Sequence, residues 1–154
     1  WREFLPNARV AGLDNDPGCL RRSLGDVYIG DQSDPTFLAS VIAATGAPDV
    51  VVDDGGHNGL KQIACFRKLF PRTNPGGMYV VEDTHTFYEH AHGAPSRTFG
   101  FFTGLAADVD LRGRGQTGNY ERARESNSTV QMPTFSPFLK AMHIHQSIRF
   151  YERR

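Results

Sequence analysis

The sequence of 154 residues predicts an α/β fold, with a doubly wound, mostly parallel sheet closed by an antiparallel strand pair. Three observations predict it. Short valine-rich runs alternate with helical segments at the spacing of strand–helix–strand units, which favour right-handed crossovers. Proline and glycine punctuate the junctions. Two of the apolar runs lack polar alternation, as strands buried on both faces do.

The elements follow in order. Ala8–Asp14 (ARVAGLD) is a short apolar run ending in an acid. Pro17–Leu24 reads as a short helix, with Asp16 as N-cap and Pro17 at the first helical position. Val27–Asp31 is a second strand. A helix then starts at Ser33 or Asp34 and runs to about Thr45, where Gly46 suits the C-cap. Asp49–Asp54 (DVVVDD) is the clearest strand, and a Gly55-Gly56 turn follows it. Asn58 can cap a helix to about Phe70, with Leu60, Ile63, Ala64, Phe66, Leu69 and Phe70 on one face. Pro71–Gly77 is a breaker loop and Met78–Glu82 another buried strand. Beyond Asp83, His85–Ser96 is loop-like and Arg97–Ala107 fits a helix. Leu111–Pro137 is polar and Gly-rich, an excursion or lid. Lys140–Gln146 and Ser147–Arg153 close the sheet around a tight turn. The whole is Rossmann-like.

Composition narrows the function. An apolar fraction of 39% and a charged fraction of 22% are those of a globular chain. With 17 acidic and 17 basic residues, there is no basic footprint for nucleic acid or anionic lipid. No run approaches the ~20 apolar residues of a membrane span, and no signal peptide is visible. Cys19 and Cys65 fall inside helices and read as buried free thiols of a reducing cytosol, although an α/β fold can also bring two such residues together.

Ligands of doubly wound sheets bind beyond the carboxyl ends of the strands. Acids stand at such ends here: Asp14, Asp31, the Asp53/Asp54 pair and the Glu82/Asp83 pair. Two strand ends with paired carboxylates would repel across a partly desolvated crevice unless a divalent cation lay between them. Oxygen ligands without cysteine favour Mg²⁺, Mn²⁺ or Ca²⁺ over zinc. Side chains alternate along a strand, so Asp53 and Asp54 point opposite ways. Asp54, nearer the turn, is the expected ligand, and Asp53 fixes the loop or faces a cofactor. His57 sits just past the glycines, where an imidazole is well placed as a general base. His85, His90 and His92 read as solvated loop residues or pocket walls. His143 and His145 share one strand face and are expected to pack there. Phe87, Tyr88, Phe99, Phe101 and Phe102 fit an acceptor pocket and core packing equally well.

These residues carry a resemblance. VVDDGGHN, the helix end KLFP and NPGGMYVVEDTHTFY resemble the metal-dependent class I methyltransferases that use S-adenosylmethionine to methylate sugar hydroxyls of macrolide antibiotics (mycinamicin/macrocin type). Cephalosporin-hydroxylase-like and rhamnosyl O-methyltransferase proteins look similar. ARVAGLDNDP is similar to the family's second strand, GDQSDPTFL to its adenine-side turn, and AMHIHQSIRFYER to its closing strands. The resemblance implies Asp54, Glu82 and Asp83 as Mg²⁺ ligands and His57 as the base. It also implies Asp14 at the cofactor ribose, and Asp31 with Gln32 at the adenine. The family's glycine-rich loop would lie before Trp1. The expectation is therefore a single, N-terminally incomplete catalytic domain over residues 1–154. Phe87 stands where the family often has serine.

The expected activity is Mg²⁺-dependent methyl transfer from S-adenosylmethionine to a hydroxyl of a sugar or glycosylated natural product, in the cytoplasm. The expected partner is that small-molecule acceptor, without nucleic acid or membrane, and homo-oligomerisation stays open. Two alternatives stand beside it: a degenerate methyltransferase-like subunit or binding module, and another metal-dependent enzyme, a hydrolase or oxygenase. Non-haem iron sites usually carry two histidines and one carboxylate, the reverse of this set.

Overall fold

A computed structural model describes residues 1, 3–22, 26–89, 95–115 and 134–154. The chain folds as a mixed α/β structure. Strand β1 (Ala11–Asp14) leads through helix α1 (Cys19–Arg22) to β2 (Asp26–Ile29), and the two strands pair in parallel. Helix α2 (Pro35–Thr45) leads to β3 (Val50–Asp53), and helix α3 (Gly59–Leu69) to β4 (Met78–Val81). Strands β3 and β4 are also parallel. After helix α4 (Pro95–Gly115), β5 (Leu139–His145) and β6 (Ile148–Arg153) form the expected closing hairpin, with β6 antiparallel to β4.

Parallel pairs β1-β2 and β3-β4 with the antiparallel closing hairpin match the expected fold class. The described strands form two sheets, β1-β2 and β3-β4-β6-β5. Neither β1 nor β3 has a second strand neighbour among the described residues, so each leaves one edge unpaired.

Local sequence explains the helices. Asp34 is extended and its carboxylate accepts from the Thr36 amide, while Pro35 opens α2. Gly46 closes the helix at φ 85°, a conformation that favours glycine. Asn58 caps α3 by accepting from the amides of Leu60 and Lys61. Phe66, fully buried, is the centre of the core: its ring lies 4.7 Å from Phe70, 5.0 Å from Tyr79 and Tyr151 and 5.6 Å from Phe102. α4 is longer than the expected Arg97–Ala107. Burial of Phe102 and Leu105 against α3 outweighs the weak helix propensity of Gly100 and Gly104.

Other expectations change in detail. Thr84–Tyr88, expected as loop, forms a 3₁₀ turn that buries Phe87. His143 and His145 are exposed on the strand: His143 Nε2 meets Glu152 Oε1 at 2.8 Å, and the His145 ring packs edge-on against Phe150 at 5.6 Å. Of the aromatic set, Phe87 and Phe102 are core residues, and Tyr88 and Phe99 form an exposed pair 5.2 Å apart. Cys19 and Cys65 are not joined in a disulfide, as expected, and Cys65 is buried. No described helix is long and apolar enough to cross a membrane. His90, His92, the end of the expected Pro17–Leu24 helix and most of the Leu111–Pro137 excursion lie outside the described residues.

Candidate metal and proton-transfer site

The site grows from the ends of β3 and β4. Strand alternation separates Asp53 from Asp54: the first is 5% exposed and the second is exposed. Asp53 Oδ2 accepts from the Tyr79 hydroxyl at 2.7 Å, and Oδ1 from Gln32 Nε2 at 3.0 Å. Burial raises the Asp53 carboxyl above its ordinary range, and the bonds from Tyr79, Gln32 and the Gly55 amide pull it back down. Tyr79, fully buried, is pushed well above the usual phenol range by its burial and then by the Asp53 carboxylate. These bonds tie Asp53 to β4 and to the β2–α2 loop.

The Asp53 network holds the turn above it. Gln32 Oε1 accepts from the Gly56 amide at 3.2 Å, and a Cβ on Gly55 would run into that same oxygen. His57 follows at φ 47°, in the left-handed region that non-glycine residues rarely enter.

At the end of β4, Asp83 also has positive φ, at 50°. Its Oδ2 lies 3.5 Å from His57 Nε2. Asp54, His57 and Asp83 each bring one donor atom to within 4.8 Å of the others. Glu82, expected with Asp54 and Asp83, is outside this group, although its amide donates to the Asp53 carbonyl at 3.1 Å. Asp83 Oδ1 faces His85 Nδ1 at 3.9 Å, and that nitrogen shares a 2.6 Å hydrogen bond with Ser147 Oγ. Ser147, in the β5–β6 turn, is the third non-glycine residue at positive φ among those described. Its carbonyl accepts from the Thr84 amide at 3.0 Å. The closing hairpin thus braces the acidic loop.

Of the other expected residues, Asp14 ends β1, and Asp31 and Gln32 lie in the loop between β2 and α2. Asp14 accepts from the Asp16 amide at 2.8 Å and from Cys19 Sγ at 3.1 Å, which lowers its pKa. Asp31 bonds Lys61 Nζ at 2.8 Å and both the amide and hydroxyl of Ser33, and its pKa falls to about 2. Gln32 reaches the β3–α3 turn, as described.

The donor set suits a hard cation. Donor atoms of Asp54, His57 and Asp83 lie within 4.8 Å of one another, and the two carboxylates supply the oxygens that such an ion takes, with the imidazole beside them. The acids Asp54 and Asp83 leave a local negative charge that such an ion would neutralise. Nothing in the sequence pattern singles out Tyr79 or Ser147. Tyr79 pairs with Val51, two residues before Asp53, and this parity puts Tyr79 and Asp53 on one face. Such a signal exists only once the register is known.

No family model matches the chain. It is 31% identical over 159 residues to 8-demethyl-8-alpha-L-rhamnosyl tetracenomycin-C 2'-O-methyltransferase of Streptomyces olivaceus, a match covering 100% of this chain and 40% of that protein. It is 37% identical over 89 residues to mycinamicin VI 2''-O-methyltransferase of Micromonospora griseorubida, covering 57% of this chain and 22% of that protein. Among solved structures, MycE methyltransferase from the mycinamycin biosynthetic pathway, in complex with Mg and SAH, matches with a TM-score of 0.79 at 26% identity. That match covers 99% of this chain and 39% of MycE. The chain therefore spans about two fifths of the length of the relatives it matches end to end. It is a homologue of the O-methyltransferases of the macrolide- and tetracenomycin-sugar type.

Proposed function

We propose that the protein to which these residues belong transfers a methyl group from S-adenosylmethionine to a hydroxyl of a sugar or glycosylated natural product, with Mg²⁺. The observation that carries this reading is the convergence of Asp54, His57 and Asp83 at the ends of two adjacent parallel strands. The relatives' names support it: one methylates a rhamnosyl 2' position, and one MycE complex holds Mg, SAH and mycinamycin VI together.

Asp54 and Asp83 would hold the cation, with Glu82 as the third carboxylate that the resemblance implies. When bound, Mg²⁺ lowers the pKa of a coordinated acceptor hydroxyl, and S-adenosylmethionine supplies the electrophilic methyl. His57 Nε2 faces this space and takes the hydroxyl proton. Asp83, 3.5 Å from Nε2, stabilises the imidazolium that results. Asp14 and the Asp31–Gln32 loop would sit at the ribose and adenine ends of the cofactor. Tyr88 and Phe99, exposed beyond the acidic loop, offer apolar faces against which a sugar ring can lie.

The test is His57→Ala in the full-length protein, assayed with radiolabelled methyl donor and a rhamnosylated or macrolide acceptor. Turnover should fall about 10²–10⁴-fold, the range of a lost general base. Mn²⁺ binding, read by electron paramagnetic resonance, should stay within about threefold. Normal turnover in this variant would remove His57 as the base.

A further inference from the structure

The turn carrying Asp54 and His57 is not held by its own residues alone. Asp53, beneath it, is buried and takes hydrogen bonds from Tyr79 below and Gln32 at the side. Gln32 belongs to a different crossover, the loop between β2 and α2. Its amide spans the gap with both ends: Nε2 donates to Asp53, and Oε1 accepts from the Gly56 amide at 3.2 Å. The missing side chain at Gly55 makes the room that Gln32 occupies. One residue earlier, Asp31 clasps Lys61 of α3 at 2.8 Å, so the same loop is fastened to both sides of the turn. This fastening matters because His57 sits at φ 47°, a conformation that persists only when its surroundings over-determine it.

We infer that Gln32 is a positioning residue, a strut that sets the Asp54–His57 turn from the cofactor-side loop, with Tyr79 as the second brace acting through Asp53. The inference rests on the reading of that turn as the metal and base site. It differs from a direct adenine contact in what it predicts. A strut changes the orientation of Asp54 and His57, while an adenine contact changes cofactor affinity.

The full chain carrying Gln32→Leu, which keeps bulk and removes both bonds, is compared with Tyr79→Phe, which removes only the brace from below. Three quantities are measured: amide exchange at Gly55–His57 without ligands, Mn²⁺ binding by electron paramagnetic resonance, and S-adenosylhomocysteine binding by calorimetry. Outer partners of metal ligands typically matter 10- to 100-fold. In Gln32→Leu, Gly56 exchange should accelerate at least about tenfold and Mn²⁺ affinity fall about tenfold. S-adenosylhomocysteine affinity should change less than about threefold. Tyr79→Phe should move the first two readouts in the same direction by less. Weakened S-adenosylhomocysteine binding with unchanged Mn²⁺ affinity would overturn the strut and make Gln32 an adenine contact. Unchanged exchange and unchanged Mn²⁺ affinity would overturn it as well. If Gln32→Leu loses its circular dichroism melting transition, the Tyr79→Phe arm decides. A wild-type chain that binds no Mn²⁺ would instead overturn the metal reading, and Gly56 exchange would still report on Gln32.

Discussion

Asp31 shows how one residue's partners set its response to pH. The Lys61 ammonium, then the Ser33 amide and hydroxyl, hold its carboxyl at about 2 against an ordinary 3.8. A carboxyl whose pKa is depressed on folding stabilises the native state above its unfolded pKa and loses that contribution as pH falls. The window here runs from about pH 4 down to about 2. Asp31 is exposed, so salt should shrink the effect. Urea midpoints measured between pH 5 and 2.5 should fall less steeply for Asp31→Asn than for wild type; parallel curves would contradict this. Asp54→Asn tests a different property: Mn²⁺ affinity should drop about tenfold or more, because a ligating charge is lost. At this scale the sequence was readable where one rule sufficed. Strand alternation told Asp53 from Asp54, and chain position put His57 past the glycines. What it did not reveal depends on contacts between distant segments: the Tyr79–Asp53 bond spans 26 residues and the His85–Ser147 bond 62. The left-handed backbone of His57 and Asp83 was equally hidden, because neither residue type announces positive φ as glycine does.

Among the elements, α3 is the one most directly joined to the site, since its N-cap Asn58 follows His57. Asn58 Oδ1 accepts from Leu60 at 3.1 Å and Lys61 at 3.3 Å. Asn58→Ala should cost about 1 kcal/mol in urea unfolding, the usual loss for an N-cap. Asn58→Asp should recover most of it, and no change in either variant would mean the cap is dispensable. Element types were readable because caps, prolines and apolar periodicity agree for α2 and α3, and β-branched runs mark β3 and β4. Lengths were less so. α4 extends to Gly115 because tertiary burial overrides the glycines inside it. The Thr84–Tyr88 turn escaped because its driving force is burial of Phe87 against Phe102, rings 5.0 Å apart, from another part of the chain.

For the whole molecule, the α/β class and the antiparallel closure followed from the order of the elements. The split into two sheets did not, since periodicity says which residues form strands but not which edges meet. That split gives the 154 residues a colloidal property. Val50 is 60% exposed and Val52 38% on β3, whose outer edge has no strand partner among the described residues. Open strands of this kind recruit strands from neighbouring molecules unless a charge or a covering segment blocks them. The chain on its own should therefore sediment with a weight-average mass that climbs with concentration. Val50→Lys should flatten that dependence while leaving the far-ultraviolet circular dichroism unchanged. A wild-type chain sedimenting as a monomer at every concentration would show that this border is already quiet, whereas a climbing mass makes solubility, before catalysis, the first quantity to engineer.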